Sequence, residues 1–127
     1  MIAADTSSLV AFLAGDEAFD VHSVDAALAA NQLCLPPVVL TELLSDPKLP
    51  PKVAAILIQI PLLQIQDGFW DRAGMLRAKL IARKRRARLA DSLIAQACLD
   101  HGVALITRDG DFRAFAQVAG LKLVATV

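Results

Sequence analysis

Cysteine is scarce in this sequence: Cys34 and Cys98 lie far apart and show no Cys-x-x-Cys spacing. That argues against a zinc ribbon or a disulfide framework, and both thiols read as reduced, half-buried filling. Histidine is as sparse, with His22 and His101 isolated from each other, so no histidine pair stands ready for zinc. Long hydrophobic runs are missing as well. The longest nearly apolar stretch, "VAAILIQIPLLQI", is interrupted by Gln59, Pro61 and Gln64 and falls short of the roughly 20 residues a bilayer span needs. The amino terminus "MIAADTSS" has no basic residue and no long apolar core before its first charge, which argues against a secretory leader and for a cytoplasmic protein. No repeat, low-complexity tract or linker divides the chain, and no run of aromatics offers a stacking platform for unpaired bases.

What is present fits one domain spanning residues 1–127, with 56% apolar residues to build its core. The net charge of zero conceals a division. Residues 1–71 carry two Lys/Arg against nine Asp/Glu, whereas residues 72–127 carry eleven against four. Much of the positive half is one run, "RKRRAR", in which Arg83, Lys84, Arg85, Arg86 and Arg88 are crowded together. Such a run is either a solvated helix face or a binding patch for a polyanion.

Apolar spacing and turn residues predict alternating strands and helices. "MIAA" reads as a strand, followed by a helix over "SSLVAFLA" that stops at Gly15. A second helix is expected over 22–30, a strand at "QLCLP", and helices at "VVLTELL" and "PKVAAILIQI". "LLQIQ" is a candidate short strand. A long helix is expected from Asp67 to about Arg86, with Met75, Leu76, Leu80 and Ile81 on one face. "LADSLIAQACLDHG" is the clearest helix, and "VALIT" and "LKLVATV" read as strands around a short helical piece. Strands separated by helices imply crossovers, hence an α/β fold: a three-layer α/β/α sandwich on a mainly parallel sheet of four or five strands.

Open parallel sheets place functional groups at the carboxyl ends of their strands. Asp5 follows "MIAA" and Asp109 follows "VALIT", so both face the same edge of the sheet. Asp91 falls in the first turn of the helix that leads into "VALIT", and Glu42 lies just inside the helix after "QLCLPP". Each has an ordinary explanation: Asp5 as a helix cap, Asp91 as an acid favoured at a helix start, Glu42 as a solvent-facing residue. Their apolar surroundings make the group harder to explain that way. Like charges about 4 Å apart repel by on the order of 4 kcal/mol at an effective dielectric of 20, so a gathered set requires protons or a cation. Ligands that are all oxygen suit Mg²⁺ or Mn²⁺.

"ADTSSLVAFL", "LTELL", "LADSLIAQACLDHGVALITRDGDF" and "GLKLV", in this order and spacing, resemble the PIN-domain nucleases, and the size is similar to that of the VapC toxins of VapBC toxin–antitoxin pairs. The resemblance spans nearly the whole chain and implies the same sandwich fold. It puts the family's acidic set on Asp5, Glu42, Asp91 and Asp109, with Asp5, Asp91 and Asp109 as metal ligands and Glu42 as either a ligand or the base that activates water. Asp111 matches a further acid of the family's terminal motif, or serves as a turn or helix cap. Thr6, Ser7 and Thr107 match positions whose hydroxyls support the carboxylates, with an ordinary N-cap as the alternative for the first two. The implied activity is hydrolysis of RNA phosphodiesters by a Mg²⁺- or Mn²⁺-dependent endoribonuclease.

Arg83 to Arg88 end three residues before Asp91, so the cations would rim the acidic pocket and bind the RNA backbone that bare carboxylates would repel. The implied partners are the RNA substrate, a small cognate antitoxin and a second copy of the chain, with no role for a membrane. Two other readings stand beside it. One is a non-catalytic PIN-like module that binds RNA or regulates. The other is an aspartate phospho-receiver using Asp5, for which the sequence lacks an Asp-x-Asp after the first strand and offers Arg108 where a lysine would be needed. Phe69 and Trp70 are large enough to anchor an interface, though a lone tryptophan at a helix start more often packs inward.

Overall fold

The computed structural model describes residues 1–124. Three strands, β1 (Ile2–Ala4), β2 (Leu33–Cys34) and β3 (Leu105–Ile106), form a parallel sheet in the order β2-β1-β3. β1 lies in the centre, pairing Ile2 with Leu33 on one side and Ala4 with Ile106 on the other. Its small residues Ala3 and Ala4 have no exposure to solvent, as a strand covered on both faces requires. The β1-to-β2 and β2-to-β3 connections run in opposite directions across the sheet, and right-handed crossovers of opposite direction put their helices on opposite faces. This is the expected α/β sandwich.

Fewer strands form than the four or five expected. "LLQIQ" contributes a single bridge, Leu62 opposite Leu35, and the last segment a single bridge, Leu123 opposite Leu105. On the first edge the cause is local: Pro36 and Pro61 flank the bridge and have no N–H to extend a ladder. On the other edge, residues 125–127 of the expected strand "LKLVATV" lie outside the described residues.

Seven helices follow the expected order among the described residues: α1 (Thr6–Leu13), α2 (Phe19–Ala29), α3 (Pro37–Leu44), α4 (Pro51–Ile58), α5 (Phe69–Ala82), α6 (Leu89–His101) and α7 (Phe112–Ala119). The buried stripe of α5 is Phe69, Ala73, Leu76 and Leu80. Met75 and Ile81, expected on that stripe, are exposed instead, because the helix presents positions 69, 73, 76 and 80 inward and leaves theirs on the flank. Trp70 is likewise 65% exposed, not packed inward, while its neighbour Phe69 takes the core position. Both cysteines are fully buried, and burial pushes the Cys98 thiol up to about 12, so it is a neutral filler.

α5 ends sooner than expected, and the basic run is consequently not a helix face. Arg83 closes the helix and Lys84 adopts a left-handed conformation (φ 57°). The Lys84 and Arg85 amides donate back to Ile81 O at 2.9 Å and to Leu80 O at 2.9 Å. This is the paired closure usually built on glycine. Here a lysine fills the left-handed position, and positive charge near a helix C-terminus is favourable. Arg83 to Arg88 therefore form the turn that delivers the chain into α6.

Candidate metal centre

Asp5 leaves the end of β1 in an extended conformation and caps α1, its Oδ1 accepting the Ser8 amide at 3.1 Å. The Ser7 hydroxyl donates to its Oδ1 and Oδ2 at 2.8 and 3.0 Å, and the Thr107 hydroxyl donates to Oδ2 at 2.6 Å. Cap and pocket residue are thus the same side chain. Burial raises the Asp5 pKa; the bonds from Thr107, Ser8 and Ser7 oppose the rise, and the charge of Asp109 adds to it. Thr107 also accepts the Asp109 amide at 3.0 Å. Asp109 Oδ1 in turn accepts the Asp111 amide at 2.9 Å. The sequence "TRDGD" is therefore a turn tied through one hydroxyl to the far end of the chain.

Asp91 enters from the first turn of α6. One oxygen from each of Asp91, Asp109 and Asp111 falls within 4.8 Å of the others. Among the described residues, Asp91 Oδ2 is the one buried side-chain polar atom without a hydrogen-bond partner. Burial first, then the charge of Asp109, and further Asp111 and Asp5, push the Asp91 carboxyl up to about 6, with Arg88 pulling the other way. A carboxylate with one buried, unpartnered oxygen, gathered with two more carboxylates, fits a hard divalent cation. The donor set is all oxygen, which matches Mg²⁺ or Mn²⁺ better than zinc.

The acids expected together are therefore distributed in two tiers. Asp91 and Asp109 converge, and Asp111, expected in support, stands with them; its side chain makes no cap bond to α7. Asp5 lies beside that group with both its oxygens taken up by hydroxyls and an amide. Glu42, expected with them, is exposed on α3 and not part of the converging trio; the Thr6 hydroxyl, next in sequence to Asp5, donates to its Oε1 at 2.6 Å. Thr6 and Ser7 thus support carboxylates, and Asp5 is the N-cap. The N-terminal ends of α1, α6 and α7 carry Asp5, Asp91 and Asp111, so three helix dipoles favour negative charge there.

Of the basic run, Arg86 approaches Asp111 Oδ2 at 3.6 Å, Arg85 donates to Gln117 at 2.8 Å, and Arg88 is the N-cap residue of α6. Arg83 and Lys84 are exposed. Sequence reasoning missed Asp20 and Arg108. Asp20 is a buried carboxylate on α2 that accepts from Arg108 Nε at 2.8 Å and Nη2 at 3.0 Å. The expected helix over 22–30 begins two residues after Asp20, and α2 in fact starts at Phe19, so in the sequence Asp20 read as one more loop acid and in the structure it sits in the first turn.

An open parallel sheet with carboxylates gathered near its strand ends defines an acid-lined α/β domain. The PIN domain family model matches residues 2–118, and the chain belongs to that family. No curated protein matches it. Among solved structures it resembles a chain of VapBC2 from Rickettsia felis bound to a promoter DNA fragment, at 21% identity and TM-score 0.74 over 98% of each chain. It also resembles VapBC-5 of Mycobacterium tuberculosis, a member of the VapBC family of toxin–antitoxin systems, at 22% identity and TM-score 0.68 over 98% of each chain. DNA-bound VapBC from Salmonella typhimurium gives 18% identity and TM-score 0.70, again over 98% of each. Likeness at these identities establishes the shared fold. Among the described residues no helix is long and apolar enough to cross a membrane.

Proposed function

We propose that this PIN-domain protein is a Mg²⁺- or Mn²⁺-dependent endoribonuclease, acting in the cytoplasm as the VapC-like toxin of a toxin–antitoxin pair. The observation that carries the reading is the Asp91 carboxylate, with its buried Oδ2 unpartnered, gathered with those of Asp109 and Asp111. Asp91, Asp109 and Asp111 would hold the ion, directly or through water. Bound there, it would supply a lowered pKa for an attacking water and positive charge for the phosphate as the bond breaks.

The chain's own groups do the remainder. Asp5, fixed by Ser7, Ser8 and Thr107, orients the turn that carries Asp109 and adds negative potential to the pocket. Glu42 has one oxygen engaged by Thr6; its other oxygen is free to orient the water or take its proton. Arg83, Lys84, Arg85, Arg86 and Arg88 bind phosphates on either side of the scissile bond, offsetting the repulsion of the carboxylates. The likeness to VapBC structures supports a small antitoxin as partner, and the exposed Trp70 and Met75 support a homodimer.

The test is cleavage of structured RNA by the purified chain in Mg²⁺ or Mn²⁺, repeated with EDTA and with Asp91→Asn, Asp5→Asn and Glu42→Gln. Loss of cutting under all these conditions is expected. Metal-independent cutting, or full activity in both Asp variants, would refute the mechanism, and RNA binding without cutting would favour a regulatory module. Glu42→Gln should leave the melting temperature nearly unchanged, since Glu42 is exposed and exposed substitutions stay within about 0.5 kcal/mol.

A further inference from the structure

Arg108 is the residue between Thr107 and Asp109, and its charge is fully engaged outside the metal pocket. Its guanidinium donates through Nε and Nη2 to the two oxygens of Asp20, at 2.8 and 3.0 Å, and Nη2 reaches Asp16 Oδ2 at 2.9 Å. Asp20 Oδ2 also accepts the Ser8 hydroxyl at 2.9 Å. Ser8 is also the residue whose amide donates to the capping Asp5 carboxylate. A closed circuit results: Asp5 to Ser8, Ser8 to Asp20, Asp20 to Arg108, along the backbone to Thr107, and from the Thr107 hydroxyl back to Asp5. Asp109 hangs from this circuit at the next residue, by its amide bond to Thr107 Oγ1.

The geometry points to Asp20 and Arg108 as a positioning pair that sets the angle of the Thr107–Asp111 turn, and with it the placement of Asp109 and Asp111 toward a divalent cation. This rests on the metal reading above. Two carboxylates neutralise Arg108, so it adds no free cation for RNA; what it contributes is a planar two-pronged contact that a lysine does not reproduce. Asp20 is buried, and its attachment to both α1 and the β3 turn locks the two segments that supply Asp5 and Asp109. Ligand oxygens must be held to within about 0.5 Å for tight coordination, and partners behind the ligands commonly change metal affinity by about 10- to 100-fold.

The experiment is Mn²⁺ binding followed by electron paramagnetic resonance, without RNA, for the unaltered protein, Arg108→Ala, Arg108→Lys and Asp20→Asn. About tenfold weaker binding is expected in Arg108→Ala and Asp20→Asn, with Arg108→Lys between them and the unaltered protein. In the metal-free proteins, the Asp109 and Asp111 amides should exchange with deuterium faster than in the unaltered chain. In cleavage assays, the Mn²⁺ concentration for half-maximal rate should rise by the same factor while KM for RNA is unchanged. Mn²⁺ affinity within twofold of the unaltered protein in Arg108→Ala would overturn the proposal, whatever happens to the melting temperature. So would a raised KM for RNA in Arg108→Ala with Asp20→Asn silent, which would make Arg108 an RNA contact. Should the alanine and asparagine variants fail to fold, Arg108→Lys decides the matter by the same readouts. If the unaltered protein binds Mn²⁺ but cuts no RNA, the proposed activity fails while the binding measurements still judge the pair; if it binds none, both fail.

Discussion

Thr107 donates a 2.6 Å hydrogen bond to Asp5, a residue 102 positions earlier. The same oxygen accepts the Asp109 amide at 3.0 Å. One hydroxyl therefore joins an acid at the end of the central strand to an acid at the end of its neighbour. It is also the largest influence opposing the burial-driven rise in the Asp5 pKa.

Thr107→Val keeps the shape and deletes the hydroxyl. The Asp109 amide loses its acceptor and Asp5 loses its shortest hydrogen bond, which should destabilise the fold by about 1–3 kcal/mol in urea unfolding. The Asp5 pKa should move further upward, because burial then acts with less opposition. Thr107→Ser should restore most of both quantities. A valine variant as stable as the unaltered protein would show that the bond carries no weight.

Asp91 titrates with a raised pKa of about 6. A carboxyl whose folded pKa exceeds its unfolded value of about 4 contributes stability that is full below pH 4 and lost as pH rises through 6. Without metal, Asp91→Asn should therefore be more stable than the unaltered protein at pH 7.5, on the order of 2 kcal/mol after screening by water, and indistinguishable near pH 4. The same variant should lose cleavage. Because ligands must shed protons, Mg²⁺ should raise the melting temperature of the unaltered protein strongly at pH 7.5 and weakly at pH 5. Scanning calorimetry at the two pH values with and without Mg²⁺ checks both; equal melting temperatures for the two proteins at pH 7.5 without metal would contradict the first.

The cations of the α5–α6 turn should act through counterion release. In an Asp91→Asn background, chosen so that bound RNA would not be cut, changing Arg83, Arg85 and Arg86 to Gln should flatten the slope of log affinity against log salt for single-stranded RNA by about 2. Fluorescence anisotropy across a salt series measures it. An unchanged slope would assign RNA binding to another surface.

Element order and the sheet's strand ends were legible in the sequence because apolar periodicity and turn residues were strong there. "LADSLIAQACLDHG" became α6, and "MIAA" and "VALIT" became paired strands. Two things depended on tertiary geometry that spacing does not encode. One was the phase of α5, where Met75 and Ile81 turned outward although their spacing suited burial. The other was helix length: Lys84 accepted a backbone conformation that normally calls for glycine, so nothing in the residue types marked the stop. At the pocket, the acids were visible as acids on strand ends. Their division into a converging trio and a hydroxyl-held Asp5 was not, since it follows from Thr107 and Ser7 rotamers. The Asp20–Arg108 pair spans 88 residues of sequence, and only the fold brings the two together.

The pairing of β1 with β3 also imposes a timetable on synthesis. A nascent chain that ends before residue 105 has made Asp5, Glu42 and Asp91 but has no β3. Domains fold as units, so the carboxylates of Asp5 and Asp91 wait for β3 and the turn after it before Asp109 can join them.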